Sequence, residues 1–471
     1  MKHITVRNKK VVSAILAAML AASLAGCGAA STVSAAESQT SVSAEVSAAE
    51  PQTSVSAEER AASGAEETAA VQTAVSADGA LDASDFFTER DLAQTADLSE
   101  AQNIEVSDGQ DVTITEEGVY VLTGTAKEVT IRVEADDTAK VQLVLDGLQI
   151  TNTDAPAIYV VSADKVFVTS ADSENTLTVT GTFSADGDTN TDAVIFSKED
   201  LVLNGTGTVT VSSTENGISS KDGLKITGGT WNVTSEEDAV EAHDYIRVSG
   251  GDITITSGKD GFHAEDDDDD SVGYIYISGG TFTIDAEDDG IQGTTIVQID
   301  GGTFGLSAGE AIEGTYVQIN GGTIGIEASD DGINASNKST AVSTLLEING
   351  GELTINMAQG DTDALDSNGD LIINGGTVDI TAQFAFDFER SAELNGGTVT
   401  VNGEQVTSIT NSMMGGGMMG GRGGMGGGFP GGTDGEQPEM PEGSFDGQTD
   451  GTRPERPEGG FGGMGGPGRR G

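Results

Sequence analysis

The chain has 471 residues, 77 of them Asp or Glu against 22 Lys or Arg, for a net charge of −55. A field of that sign repels nucleic acid and anionic membrane surfaces and recruits cations. One cysteine, Cys27, and three histidines exclude internal disulfides and thiolate zinc sites.

The N-terminus carries Lys2, His3, Arg7, Lys9 and Lys10, then an apolar run from Val11 to Leu24 and the ending Leu24-Ala25-Gly26-Cys27. A basic stretch, a short apolar stretch and small residues predict a secretory signal over 1–26 rather than a membrane span. The ending resembles the bacterial lipobox, which implies that Cys27 is lipidated. The expectation is an exported protein, held by lipid at the extracellular face of a bacterial membrane. Residues 27–80 are rich in Ala, Ser, Thr, Glu and Val, with Gln39 to Glu45 repeated 13 residues later at Gln52 to Glu58. Too few large apolar side chains are present to bury a core, so this stretch reads as a disordered acidic tether.

Residues 81–111 are expected to form an N-terminal cap. A short helix within 81–98 would place Phe86 and Phe87 over the first apolar layer, since a solenoid needs its ends covered. Strands are predicted over 112–403. They open with Val112-Thr113-Ile114 and Tyr120-Val121-Leu122, and later include Tyr274-Ile275-Tyr276-Ile277 and Thr281-Phe282-Thr283-Ile284. Alternation of this kind marks strands with one buried face. Gly-Gly pairs start at 228, 250, 279, 301, 321, 350, 375 and 396. A repeat of about 20 to 25 residues, built of short strands and glycine turns, indicates a solenoid: an all-β fold whose strands stack as a parallel β-helix. Some 290 residues at about 22 per coil give about 13 coils and ~60 Å of length. The two longest steps contain the insertions 265–271 and 337–343, expected to be loops leaving a corner. The tail, 404–471, is rich in Met, Gly and Pro and is expected to be disordered. Its methionines lack the cysteine or histidine that would support a copper site.

One motif recurs once per coil: an acidic residue, a small one, an apolar one, then a polar one. It reads Asp238-Ala239-Val240-Glu241, Asp260-Gly261-Phe262-His263, Asp289-Gly290-Ile291-Gln292 and Glu310-Ala311-Ile312-Glu313, and later Asp331-Gly332-Ile333-Asn334 and Asp363-Ala364-Leu365-Asp366. Stacking sets equivalent acids ~4.8 Å apart. Neighbouring carboxylates at that distance repel by about 3 kcal/mol at an effective dielectric near 20, and by about 1 kcal/mol when fully wet. The row therefore calls for a cation, raised pKa values or full exposure. Carboxylates, carbonyls and water are ligands for calcium, and the densest set is Asp260 to Asp270 with Asp238, Glu241 and Glu287 to Asp289 beside it. No EF-hand loop or nonapeptide calcium turn is present.

Enzyme signatures are absent: no Ser-His-Asp order, phosphate loop or zinc-binding helix. A β-helix lyase would use calcium and a basic side chain to take a proton. Lys259 is the candidate base and Arg247 the next, though each reads more simply as a charge partner of the acids.

The runs Val119-Tyr120-Val121-Leu122-Thr123-Gly124, Val144-Leu145-Asp146-Gly147-Leu148-Gln149-Ile150, Leu201-Val202-Leu203-Asn204-Gly205-Thr206-Gly207 and Asp330-Asp331-Gly332-Ile333-Asn334-Ala335 resemble a known family. It is the carbohydrate-binding domain family typified by a clostridial cellulose- and acidic-sugar-binding protein, and the resemblance spans about 104–403. It implies a right-handed parallel β-helix related to polysaccharide lyases, calcium in the coils, and polysaccharide binding without established catalysis. The matching acids are Asp238, Glu241, Asp260, Glu265, Asp266, Asp288, Asp289, Glu310, Glu313, Asp330 and Asp331. With one Trp and 4% aromatic residues, ring platforms for neutral sugars are scarce, which favours acidic sugars reached through calcium. Lys259, His263 and Arg247 are the candidate sugar contacts on the same face. If neutral cellulose were bound instead, Trp231 and exposed tyrosines would carry it. The alternatives are a calcium-using lyase-like enzyme and a non-enzymatic surface spacer or adhesin.

Overall fold

A short strand with one apolar face needs partners on both edges. The computed structural model describes residues 81–411 except 361, and in it those partners come from the coils before and after. Thr230–Thr234 pairs in parallel with Asp252–Ser257, which pairs with Thr281–Ala286, then Thr303–Ala308 and Thr323–Ala328. The register keeps Trp231, Ile253, Phe282, Phe304 and Ile324 in one inward row, and the rings of Phe282 and Phe304 stack at 4.5 Å. A one-residue slip would send the whole row to solvent, so the alternation enforces the register.

Three such parallel stacks run through the described residues. The first carries the acidic motif through Asn216–Ser220, Val240–Ala242, Phe262–Ala264, the openings of Asp289–Ile299 and Glu310–Ile319, Ile333–Ala335 and Asp363–Ser367. The second includes Gly223–Ile226, Tyr245–Val248, Tyr274–Ile277 and the closing halves of Asp289–Ile299 and Glu310–Ile319. The third holds the Trp231 row. Followed through its pairings, the second stack contains 13 strands among the described residues, from Gln102–Glu105 to Ala392–Leu394. Parallel pairing thus begins at Gln102, ahead of the expected start at Val112, because Gln102 to Glu105 lie in register on Tyr120 to Thr123.

Between the stacks lies one continuous apolar interior, in which Ile218, Val240, Phe262, Ile291, Ile312 and Ile333 are all at most 1% exposed. Each such side chain contributes about 1.5–3 kcal/mol relative to exposure. Trp231 sits in this interior at 1% exposure, so it is no sugar platform. The second glycine of each Gly-Gly pair turns the chain at positive φ, from 77° at Gly397 to 117° at Gly280. L side chains rarely adopt that conformation, which accounts for the recurring pair.

The described residues contain no α-helix, and none long and apolar enough to cross a membrane; the helical element is a single 3-10 turn, Ala83–Asp85. Residues 81–98, expected at the end of the stack, instead run along the outside of the second stack. There the Leu81 amide donates to Gln298 (2.7 Å), Phe86 packs on Tyr274 and Tyr276, and Gln94 donates to the Thr227 carbonyl (3.1 Å). The physical reason is the aromatic outer face of that stack, which would otherwise be wet. The two insertions also meet: the Thr340 amide donates to Asp270 at 3.2 Å, and the Ser339 hydroxyl to the Asp270 carbonyl. The signal, Cys27, the tether and the tail beyond 411 lie outside the described residues. The first residues of the expected tail do not continue as disordered chain, because Glu404–Val406 folds back antiparallel on Thr398–Val401 and closes the third stack.

Candidate metal and carbohydrate site

In three of the six motifs the opening acid first serves the fold. Asp238 Oδ1 accepts from the amide of Asp260 (3.1 Å), Asp260 Oδ1 from that of Asp289 (2.9 Å), and Asp331 Oδ1 from that of Asp363 (3.0 Å). Asn216 does the same for Asp238 at 3.0 Å. Each carboxylate or amide oxygen thereby satisfies a corner N–H that the turn would leave orphaned. At Asp238, Asp260 and Asp331 the acid is thus a backbone requirement before it is a ligand, whereas Asp289 and Glu310 accept instead from the side chains of Gln292 and Asn334.

The last residue of each motif projects from the same stack, so Glu241, His263, Gln292, Glu313 and Asn334 stand in one register row. The charges there are met unevenly. Glu241 accepts from Lys221 Nζ at 3.1 and 3.2 Å and from the Ser219 hydroxyl at 2.7 Å. His263 lies between acids: its Nδ1 is 3.1 Å from Asp238 and 3.5 Å from Asp260, and its Nε2 is 2.8 Å from Glu265. Burial opposes charge on His263, but hydrogen bonds to Asp238 and Glu265 and the nearby carboxylate charges raise its pKa to about 10. An imidazolium therefore occupies this corner at neutral pH. Burial likewise works against ionisation of Asp238, yet His263 outweighs it and lowers that pKa. The hydrogen bond from His263 lowers Glu265 too. Asp260, where burial wins, is raised to about 6.

One coil on, the balance fails. Ligand oxygens of Asp289, Glu310 and Glu313 lie within 4.8 Å of one another, as do those of Asp238 and Asp260 with the His263 nitrogen. Asp289 is raised by burial and then by the charges of Asp260, Glu313 and Glu310. Glu310 is raised to about 7 by burial and by Glu313. Lys338, from the second insertion, reaches Glu313 at 2.7 Å, and Gln292 donates to both Asp289 and Glu313. Further along, burial and then the charges of Asp331, Asp387 and Asp363 raise Asp366 to about 7.

The two groups differ in kind. The first contains a nitrogen that is already protonated, and a cation there duplicates a charge in place. The second is all oxygen, desolvated and short of positive charge, which fits a hard divalent cation such as calcium.

Several expected positions separate from this centre. Asp288 and Asp330 are exposed turn residues. Asp266 stands 3.8 Å from His243, whose pKa is lowered by burial. Lys259 pairs with Glu237, whose hydrogen bond raises the lysine's pKa. A proton-abstracting lysine needs the opposite shift, so Lys259 is poorly suited as a base. Arg247 belongs to the second stack, is 8% exposed, and has its guanidinium 3.8 Å from the Tyr245 ring centre and 4.0 Å from that of Phe86. It does not share a face with Lys259 and His263. The tyrosines of that flank are buried as well, Tyr245 and Tyr274 at 0% exposure. Sequence reasoning missed Lys221, Lys338 and Gln292; only the placement of Lys338 in an insertion marked it out.

A family model for carbohydrate-binding domain-containing proteins matches residues 108–364 and 307–419. A protein of that description from Acetivibrio thermocellus is 38% identical over 124 residues, which span 26% of this chain and 43% of the relative. A solved polysaccharide lyase-like protein from C. thermocellum, in a gadolinium derivative, is similar at 24% identity with a TM-score of 0.30, covering 64% of this chain and 94% of that one. Because the matched span takes in all but the first described strand of the three stacks, the chain belongs to the family of carbohydrate-binding domain-containing proteins.

Proposed function

We propose that this chain is a calcium-binding surface lipoprotein that binds acidic, uronate-bearing polysaccharide. Its coils form a right-handed parallel β-helix that opens at Gln102, carried on the lipid of Cys27 by the tether 27–80 and followed by the tail beyond 411. The observation that supports the reading is the second cluster: three carboxylates from two consecutive coils converge within 4.8 Å, and burial and neighbouring acid charge push up the pKa values of Asp289 and Glu310. Desolvated acids held together are costly unless neutralised. When bound, calcium supplies that charge and leaves coordination positions for a sugar carboxylate. Asp289, Glu310 and Glu313 would hold it. Lys338 and Gln292 border the cluster and would orient the sugar's carboxylate and hydroxyls.

At −55 overall, an anionic glycan meets like charge over most of the surface, so its capture needs a local reversal of sign. The test is calorimetric titration of the full chain with tri-galacturonate. Binding is expected with calcium and lost in Asp289→Asn/Glu310→Gln, while the melting temperature of the wild type rises with calcium by mass action. Equal binding of cello-oligosaccharides in EDTA, or a melting curve indifferent to calcium, would overturn the reading.

A further inference from the structure

The outer face of the second stack gathers most of the chain's tyrosines beside several of its few cations. Of the six tyrosines in the chain, Tyr245, Tyr274, Tyr276 and Tyr316 lie here in one cluster, under Leu81 and Phe86. Beside them, in a protein of net charge −55, stand Lys165, Lys225 and Arg247. Lys225 and Arg247 are register neighbours on adjacent coils. Lys165 pairs with Asp200 at 2.9 Å, and Asp200 accepts from the Tyr245 hydroxyl at 3.1 Å. Aromatic faces flanked by fixed cations are the surface that a carboxylated pyranose requires: C–H faces pack on rings and the carboxylate pairs with lysine or arginine.

The strap that covers this face carries both elements in mimicry. Asp91 is 1% exposed, and its Oδ2 lies 3.3 Å from Lys225 Nζ. Its Oδ1 is buried with no hydrogen-bond partner among the described residues. Five residues earlier, Phe86 meets Tyr276 edge-on at 5.1 Å between centroids and lies 4.0 Å from the Arg247 guanidinium. Oδ2 also accepts from the Thr88 amide at 2.9 Å, so one oxygen serves both Lys225 and the strap's own turn while the other is left without a partner. A buried lysine needs an anion above it, and the strap supplies that anion as a carboxylate. The strap also runs along the stack, from Gln298 at Leu81, past Lys225 at Asp91, to the first strand at Gln102. That is the path an extended oligosaccharide would take.

We propose that the outer face of the second stack, from Lys165 and Lys225 through Arg247 to Tyr274 and Tyr276, is a second binding face for an acidic oligosaccharide. The strap 81–98 closes it in cis. Asp91 stands where a uronate carboxylate would sit, and Phe86 where a pyranose ring would lie. The proposal rests on the carbohydrate-binding reading but is independent of its calcium. A ligand for a face that is open only about 1% of the time is weakened about a hundredfold, and freeing the strap removes that penalty.

The experiment compares the full chain with Phe86→Ser/Asp91→Asn, both in EDTA so that the calcium cluster is silent. Tri-galacturonate and cellotriose are titrated calorimetrically, circular dichroism monitors folding, and tryptic cleavage after Arg90 reports release of the strap. Release is expected to tighten tri-galacturonate binding at least tenfold, with no gain for cellotriose. Adding Lys225→Met to the released variant is expected to abolish the gain. Release without any gain in a folded protein would show a purely structural cover and overturn the proposal. If the double variant does not fold, Asp91→Asn alone removes the carboxylate charge from Lys225 with little change of shape and reads the same two outcomes. Loss of calcium-dependent binding in the wild type would overturn the calcium reading and leave this one standing.

Discussion

His263 and Glu310 show how differently two coils of one row solve one electrostatic problem. His263, pushed up to about 10, is a cation built into the row, and it keeps Asp238 and Glu265 ionised with lowered pKa values. Glu310, pushed up to about 7 from an ordinary 4.5, has no comparable partner, and Asp289 is raised with it. The signs make a pH prediction. Groups raised on folding contribute stability below their unfolded values and lose it as pH rises through the folded ones. For Glu310 that window runs from 4.5 to about 7, and for His263 from 6.5 to about 10. Asp238 and Glu265, lowered on folding, lose their contribution only as the medium turns acidic. In EDTA the melting temperature should therefore peak in weak acid and fall steadily through neutrality. Calcium should flatten the neutral limb, because a bound ion favours the ionised carboxylates. A melting temperature constant from weak acid to neutrality in EDTA would mean that these carboxylates are solvated rather than strained.

At the scale of the strand and turn, the coil is a unit that cannot stand alone. Its inner residues complete their burial only against the same positions of the neighbouring coils, as Trp231 does between Val209 on one side and Ile253 on the other. Trp231→Ala should cost about 3–5 kcal/mol, the range for deleting a buried aromatic side chain. Urea denaturation measures it. Because the ring is 1% exposed inside the stack, glycan affinity at temperatures well below the transition should be unchanged; a selective loss of binding in a folded protein would return Trp231 to the surface. The insertions act at this same scale. Each looks like an independent loop, yet Ser339 and Thr340 contact Asp270, and Lys338 is thereby carried to Glu313. Loop residues so placed govern the site more than their sequence distance suggests.

At the scale of the described coils, a chain of net charge −55 presents a strong negative field, and its partners are set by where that field is interrupted. The acidic row of the first stack interrupts it through His263, Lys338 and a proposed calcium ion. The strapped flank interrupts it through Lys165, Lys225 and Arg247. The remaining question at this scale is where the stack is held. The ending Leu24-Ala25-Gly26-Cys27 motivates the prediction that Cys27→Ala moves the protein from the membrane fraction to the medium, read by immunoblot of the two fractions. Unchanged fractionation would remove the lipid anchor from the proposed function.

Most strand positions, the Gly-Gly turns, the approximate number of coils and the recurrence of acids at one corner were readable from the chain alone, though the outermost strands Gln102–Glu105 and Glu404–Val406 were not. They are consequences of local periodicity: alternation decides which face is buried, and a fixed repeat forces like residues to stack. What each acid does was not readable that way. Whether Asp260 faces His263, whether Glu313 meets a lysine 25 positions later (Lys338), and whether Arg247 joins the acids or an aromatic flank depend on which corner each insertion and the strap finally reach. Phe86 illustrates the limit best. Its apolar character required burial somewhere, but only the folded stack offers Tyr274, Tyr276 and Arg247 as the place. Periodicity is a property of neighbours in sequence, whereas charge pairing and coverage act at distances of a few ångströms between residues far apart in the chain, and tertiary structure alone decides those.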